Sequence, residues 1–205
     1  MMTRFSCVCG LGPLVLFACL AGCRSVEKPG ACFPPEAVDH LGMKVSVDVD
    51  LAGIGKDTID LEGTVAVHRS GPQGPDGKKM VGEMIGASLR GKSQVFGDVI
   101  AVHSPTQPSP CEYTCKGPGS YQGRFDINGC FWLPQHDLLI FSAEPVRVEG
   151  TAERIPPVGQ KADSGPVQIK LLDLRKPNAN PIGVLTHARG EVLDLVKIES
   201  HLKTP

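Results

Sequence analysis

The sequence predicts an all-β fold, an antiparallel β-sandwich or partly closed barrel in a single domain. Two stretches, "KVSVDVDL" (44–51) and "TIDLEGTVAVH" (58–68), alternate polar and apolar residues. That period of two marks strands with one buried face. The 24 glycines and 18 prolines are spread along the chain rather than gathered in one linker, which reads as many turns between short strands. No convincing helical period accompanies them.

Taken in order, "PEAVDHLG" (35–42) has room for two helical turns, starting near Pro35 and stopped by Gly42. The 44–51 strand puts Val45, Val47, Val49 and Leu51 on one face, and 58–68 does the same with Ile59, Leu61, Val65 and Val67. The six residues between them, "AGIGKD", suit an antiparallel connection. "GPQGPDGKK" places Pro75-Asp76-Gly77 in a turn. Further strands are expected at 79–90, 95–103, 120–127, 130–133, 137–142, 145–154, 166–174, 181–189 and 191–198, with "KPNANP" (176–181) as a late turn. In "RFDINGCFWL", Asn128-Gly129 lies between two apolar runs, a strong hairpin cue.

The N-terminus is a separate matter. Arg4 is the only charged residue before Arg24, and the densest apolar part between them is "LVLFACLAG" (14–22). A positive end, a short apolar middle and a small-residue exit describe a secretory signal peptide over residues 1–22. Gly10, Gly12 and Pro13 interrupt the run, leaving it too short for a membrane span. The exit, Leu20-Ala21-Gly22-Cys23, resembles the lipobox of bacterial lipoproteins. That resemblance implies diacylglycerol on the Cys23 thiol and Cys23 as the mature N-terminus. It implies a membrane anchor through lipid, and a place in the cell envelope. Arg24, where an Asp would retain the protein in the inner membrane, points to the outer membrane if there are two. The expected organisation is then a lipidated N-terminus and short tether (23–42) followed by an extracytoplasmic β-domain (43–205).

Without residues 1–22 the chain has 20 basic and 22 acidic residues, a formal charge of −2. Nothing in that balance suggests nucleic acid. Cys32, Cys111, Cys115 and Cys130 follow Cys23. In an oxidising compartment an even number suits two disulfides, and three pairings are open. Cys111, Cys115 and Cys130 with His103 or His136 could instead hold zinc, although the spacing is loose. No metal and no other cofactor is expected.

"GASLRGKS" (86–93) satisfies the phosphate-loop pattern, but the residues after it, "QVFGDVIAVH", are strand-forming where that site needs a helix. It is a chance match. No nucleophile elbow and no helical zinc motif occurs, so no catalytic residue is assigned. Five of the eight aromatic residues beyond residue 22 fall between Tyr113 and Trp132. Of these, Tyr113, Tyr121, Phe131 and Trp132 form a candidate interaction patch. Alternatively, Phe125, Phe131 and Trp132 are core on one sheet face. The expectation is a lipid-anchored, non-catalytic binding or structural domain with a partner in the envelope. The alternative is an extracytoplasmic hydrolase built around the 103–136 Cys/His segment.

Overall fold

The computed structural model describes residues 32–104 and 106–197. Twelve strands form one antiparallel sheet: β1 (Ala37–Leu51), β2 (Gly55–Arg69), β3 (Lys79–Ser93), β4 (Gly97–His103), β5 (Ser109–Gly117), β6 (Ser120–Ile127), β7 (Gly129–Leu133), β8 (Leu138–Ser142), β9 (Val146–Ala152), β10 (Lys161–Asp163), β11 (Ile169–Asp173) and β12 (Gly183–Leu195). β12 pairs back onto β1, so the sheet closes on itself.

The registers reduce these twelve strands to eight crossings. β4 pairs with the C-terminal part of β3, and β5 pairs with its N-terminal part. Together β4 and β5 make one crossing, interrupted at 104–108. β6 and β7 likewise form a second, broken only at Asn128. β8 with β9 and β10 with β11 form two more. Every crossing lies beside the next one in sequence, giving an eight-position up-and-down barrel without sheet edges. The four interruptions lie side by side and form a waist. β3 and β12 show register shifts at the same level.

Alternation sets the wall. Leu41, Met43, Val45, Val47, Val49 and Leu51 of β1 point inward, and Lys44, Ser46, Asp48 and Asp50 point outward. The upper end is filled by Phe96, Leu133, Ile140 and Leu51, all essentially without solvent contact. The lower end is closed by a second cluster of Phe33, Met80, Tyr113 and Cys115, with Tyr121 and Ile155 against it. Arg69 helps hold that closure, donating to Asp39 at 2.6 Å and to the Pro35 carbonyl.

Several expectations change. Residues 37–42 are strand, not helix, because β1 needs them to pair with β2 as far as Arg69. The folded domain therefore begins before residue 43. Asn128-Gly129 is no hairpin, since β6 and β7 are collinear and do not pair. Asn128 instead ties down the 104–108 insertion: its amide donates to the Pro108 carbonyl at 2.6 Å, and its backbone N–H donates to Ser109 Oγ at 2.9 Å. Residues 181–189 and 191–198 are expected as two strands, yet β12 is one continuous strand over 183–195. β5 was not anticipated, although Ser109, Cys111, Tyr113 and Cys115 alternate faultlessly with more exposed residues. The two turns read from sequence, at Pro75-Asp76-Gly77 and over 176–181, lie between strands as expected. "GASLRGKS" lies wholly within β3, extended rather than looped.

Candidate functional site: the barrel interior

Two cavities lie along the inner face of the barrel. The lower, about 80 Å³, is bounded by Leu41, Val67, Phe125, Val148, Pro157 and Gln160 among others. The upper, about 100 Å³ and at the waist, is bounded by Leu89, Ala101, His103, Gly129, Phe131 and Ser142 among others. Met43, Val45, Val65, Met84, Ile127 and Ala188 line both, so the two are neighbouring chambers of one lumen. The two methionines between them have flexible side chains that adapt to what they touch.

The walls are mostly apolar; Ser109, Asn128 and Arg189 also border them, and three other polar side chains there carry an unpaired atom. His103 Nε2 and Ser142 Oγ in the upper chamber, and Gln160 Nε2 in the lower, are buried without a hydrogen-bond partner. Ser142 and Gln160 are 2% and 4% exposed. Buried polar atoms are normally paired, so three such atoms around one lumen require an explanation. Gln160 is half satisfied, its Oε1 accepting from the Tyr113 hydroxyl at 2.9 Å. Burial drives the Tyr113 phenol pKa well above its usual range, so it stays a neutral donor. Gly123 and Gly150 make room for this pair: a Cβ on Gly123 would lie 2.7 Å from the Tyr113 ring, and one on Gly150 3.0 Å from Gln160 Nε2.

The structure disperses the residues singled out from sequence. Tyr113 and Phe131 are interior at 3% and 8% exposure, and Tyr121 is half-buried with its hydroxyl on the Cys32 carbonyl. The four aromatics therefore do not make a common patch, because alternation turns Phe131 inward and Trp132 outward. Trp132, 46% exposed, stands on a different apolar face. Ile100 and Leu139 are its cross-strand neighbours, and Val102, Phe141 and Leu172 continue that face in the next row.

Cys32, Cys111, Cys115 and Cys130 are all free thiols in this structure. The Cys115 thiol donates to the Gly117 carbonyl at 3.6 Å, and its closeness to the Cys32 thiol raises the Cys32 pKa. Cys111 faces inward on β5, and burial pushes its pKa up to about 12. Cys130 faces outward on β7 beside the Ser104 hydroxyl, so Cys111 and Cys130 point to opposite sides of the wall. Among the described residues, no three His, Cys, Asp or Glu side chains gather as a metal group. On the outer wall His187 Nε2 lies 2.7 Å from Asp163, with Asp48 at 3.7 Å from Nδ1. The nearby Thr58 hydroxyl donates to Asp48 at 2.7 Å and not to the imidazole. Residues 1–22 and Cys23 lie outside the described residues.

Residues 27–200 match a family described as a family of unknown function, DUF6073. The chain belongs to that family. No curated protein matches this DUF6073 chain. Among solved structures it is similar to DynF from the dynemicin biosynthesis pathway of Micromonospora chersina. The two share 21% identity and a TM-score of 0.74, over 82% of this chain and 84% of DynF. At that identity the likeness speaks for the fold.

The lumen itself was not foreseen from sequence. Its one legible signal is methionine at Met43 and Met84, on inward positions of β1 and β3.

Proposed function

We propose that this chain is a non-catalytic binding barrel that takes a small, slender apolar molecule into its lumen. We further propose that lipid on Cys23 tethers it to a bacterial cell envelope. The observation that carries the first reading is the pair of adjoining apolar chambers inside a barrel closed at both ends. Eight-position barrels have interiors that are either filled by side chains or hold one small ligand. This one is filled at its ends and open between them. An apolar cavity of about 150 Å³ accepts a benzene-sized guest. Chambers of about 80 and 100 Å³ would merge into a comparable, longer space when Met43 and Met84 rotate. The neighbouring fold of DynF, a protein of a biosynthesis pathway, is consistent with small-molecule handling.

The anchor rests on Leu20-Ala21-Gly22-Cys23 and its resemblance to the lipobox. Nine residues run from Cys23 to Cys32, so at most about 30 Å would separate lipid from barrel.

Thermal unfolding of the full chain with increasing toluene or hexane tests the lumen. The midpoint should rise with ligand concentration, as binding to the native state alone requires. A midpoint that never rises overturns the reading. Intact mass of the membrane-extracted protein tests the anchor: a chain starting at acylated Cys23 supports it, and one retaining residues 1–22 removes it.

A further inference from the structure

Three residues at the waist form a row across adjacent strands. His103 at the end of β4 pairs with Gly129 at the start of β7. Cys130 pairs with Phe141, which sets Gly129 level with Ser142 at the end of β8. All three border the upper chamber. Alternation agrees, because Ala101, Phe131 and Ile140 on the same strands face the core. The two outer members carry the unpaired atoms His103 Nε2 and Ser142 Oγ. The middle member has no side chain, and a Cβ built on it meets nothing within 4 Å. The row is therefore a notch, open at the centre, with an unsatisfied polar atom on each side.

We propose that this notch recognises one neutral hydrogen-bonding group, a hydroxyl or carbonyl, on an otherwise apolar ligand. The proposal rests on the reading of the lumen as a binding space and names the class of molecule it takes. Ser142 can donate or accept, and His103 Nε2 does either according to its tautomer. A hydroxyl offers both functions, and a carbonyl accepts from either side. Among the described residues no Lys, Arg, Asp or Glu lines this chamber, so an ionised head group would be buried without a countercharge. The rest of the ligand lies along Met43, Met84 and the valines, towards the lower chamber. A site built to pair a hydroxyl discriminates strongly against the analogue lacking it, whose binding leaves the site's own polar atoms unpaired.

The test uses the full chain labelled with methyl-¹³C methionine, because Met43 and Met84 border both chambers. It is titrated with 1-hexanol, 2-hexanone, hexane and hexanoate. 1-Hexanol should shift both methyl signals saturably, with a dissociation constant about tenfold below that of hexane. Hexanoate at neutral pH should bind more weakly than the alcohol. In Gly129→Ala the methyl group occupies the notch without a clash, and the alcohol preference should fall to about twofold while hexane binding persists. Ser142→Ala should do the same. Equal binding of hexanol and hexane would overturn the notch and leave the apolar lumen standing. Hexanoate binding tightest would overturn the neutral head group, and an undiminished preference in both variants would overturn the row as its source. Methyl signals unmoved by any of the four compounds would remove the lumen reading itself.

Discussion

The Cys32 thiol lies beside that of Cys115 at the lower end of the barrel, while Cys111 is sealed four residues away on the same inward face. These are different chemical situations. A thiolate is the attacking species in exchange, and burial holds Cys111 as a thiol up to about pH 12. Oxidised glutathione should therefore convert Cys32 and Cys115 to one disulfide, with two glutathione thiols released, and leave Cys111 unmodified. Peptide mapping after alkylation of the native and unfolded protein checks both halves; a bridge to Cys111 or Cys130 would be the contrary result. Such a bridge closes a loop of about 84 residues, worth about 4–5 kcal/mol by loop-closure entropy. A second residue-scale prediction concerns Arg69, which with Asp39 forms an ion pair whose side chains are 9% and 12% exposed. Replacing Arg69 with Ala strands the Asp39 carboxylate beside the lower cluster. The expected loss is about 3 kcal/mol in a denaturant titration, against a much smaller loss at an exposed pair such as Lys92 with Asp98.

Individual strands and turns depend on close approach and on capping. Gly123 on β6 faces Gly150 on β9, and the Tyr113 ring and the Gln160 amide lie over that pair of glycines. Gly123→Ala would push a methyl group to 2.7 Å from the ring. It should destabilise the protein by about 1–3 kcal/mol, measured by chemical unfolding. A neutral outcome would mean that Tyr113 moves at no cost. The β3–β4 turn depends on Asp57 of β2, which accepts from the Ser93 hydroxyl, from Gln94 N–H at 3.0 Å and from Val95 N–H at 3.3 Å. The Ser93 hydroxyl first, and these N–H groups with Thr58, hold its pKa below the usual carboxylate range. A depressed carboxylate pKa stabilises the fold above the unfolded value near pH 4, and that contribution is lost as pH falls through the native value. Asp57→Asn should cost about 1 kcal/mol at pH 7 in so solvent-screened a site and flatten the fall in stability below about pH 4. Equal acid sensitivity in the variant would assign the effect elsewhere, for instance to Asp126 beside Arg147 or Asp163 beside His187.

For the whole molecule, closure and a hollow waist go together. A barrel needs every crossing paired on both sides, and the four crossings built from two strands each break at one level, where Asn128, Ser104 and Ser164 supply hydrogen bonds the strands give up. The all-β class and the inward faces of β1 and β2 were legible because a period of two is written locally in the residues. So were the turns around Pro75-Asp76-Gly77 and 176–181, since proline and glycine act on their own backbone. Asn128-Gly129 carries the same local signal as a hairpin, but Asn128 is pinned by residues twenty positions earlier, which no local pattern records. Tyr113, Phe131 and Trp132 could be counted as a cluster in sequence, yet only the inward or outward phase of β5 and β7 decides that two are core and one is surface. What the sequence determined alone was the class of structure, its alternation and its turns, together with the lipobox-like Leu20-Ala21-Gly22-Cys23 that motivates the proposed anchor. What tertiary structure decided was the closed ring, the twin chambers and the meeting of His103, Gly129 and Ser142. Those depend on which strands become neighbours and in what register, a choice made by long-range pairing and shared burial.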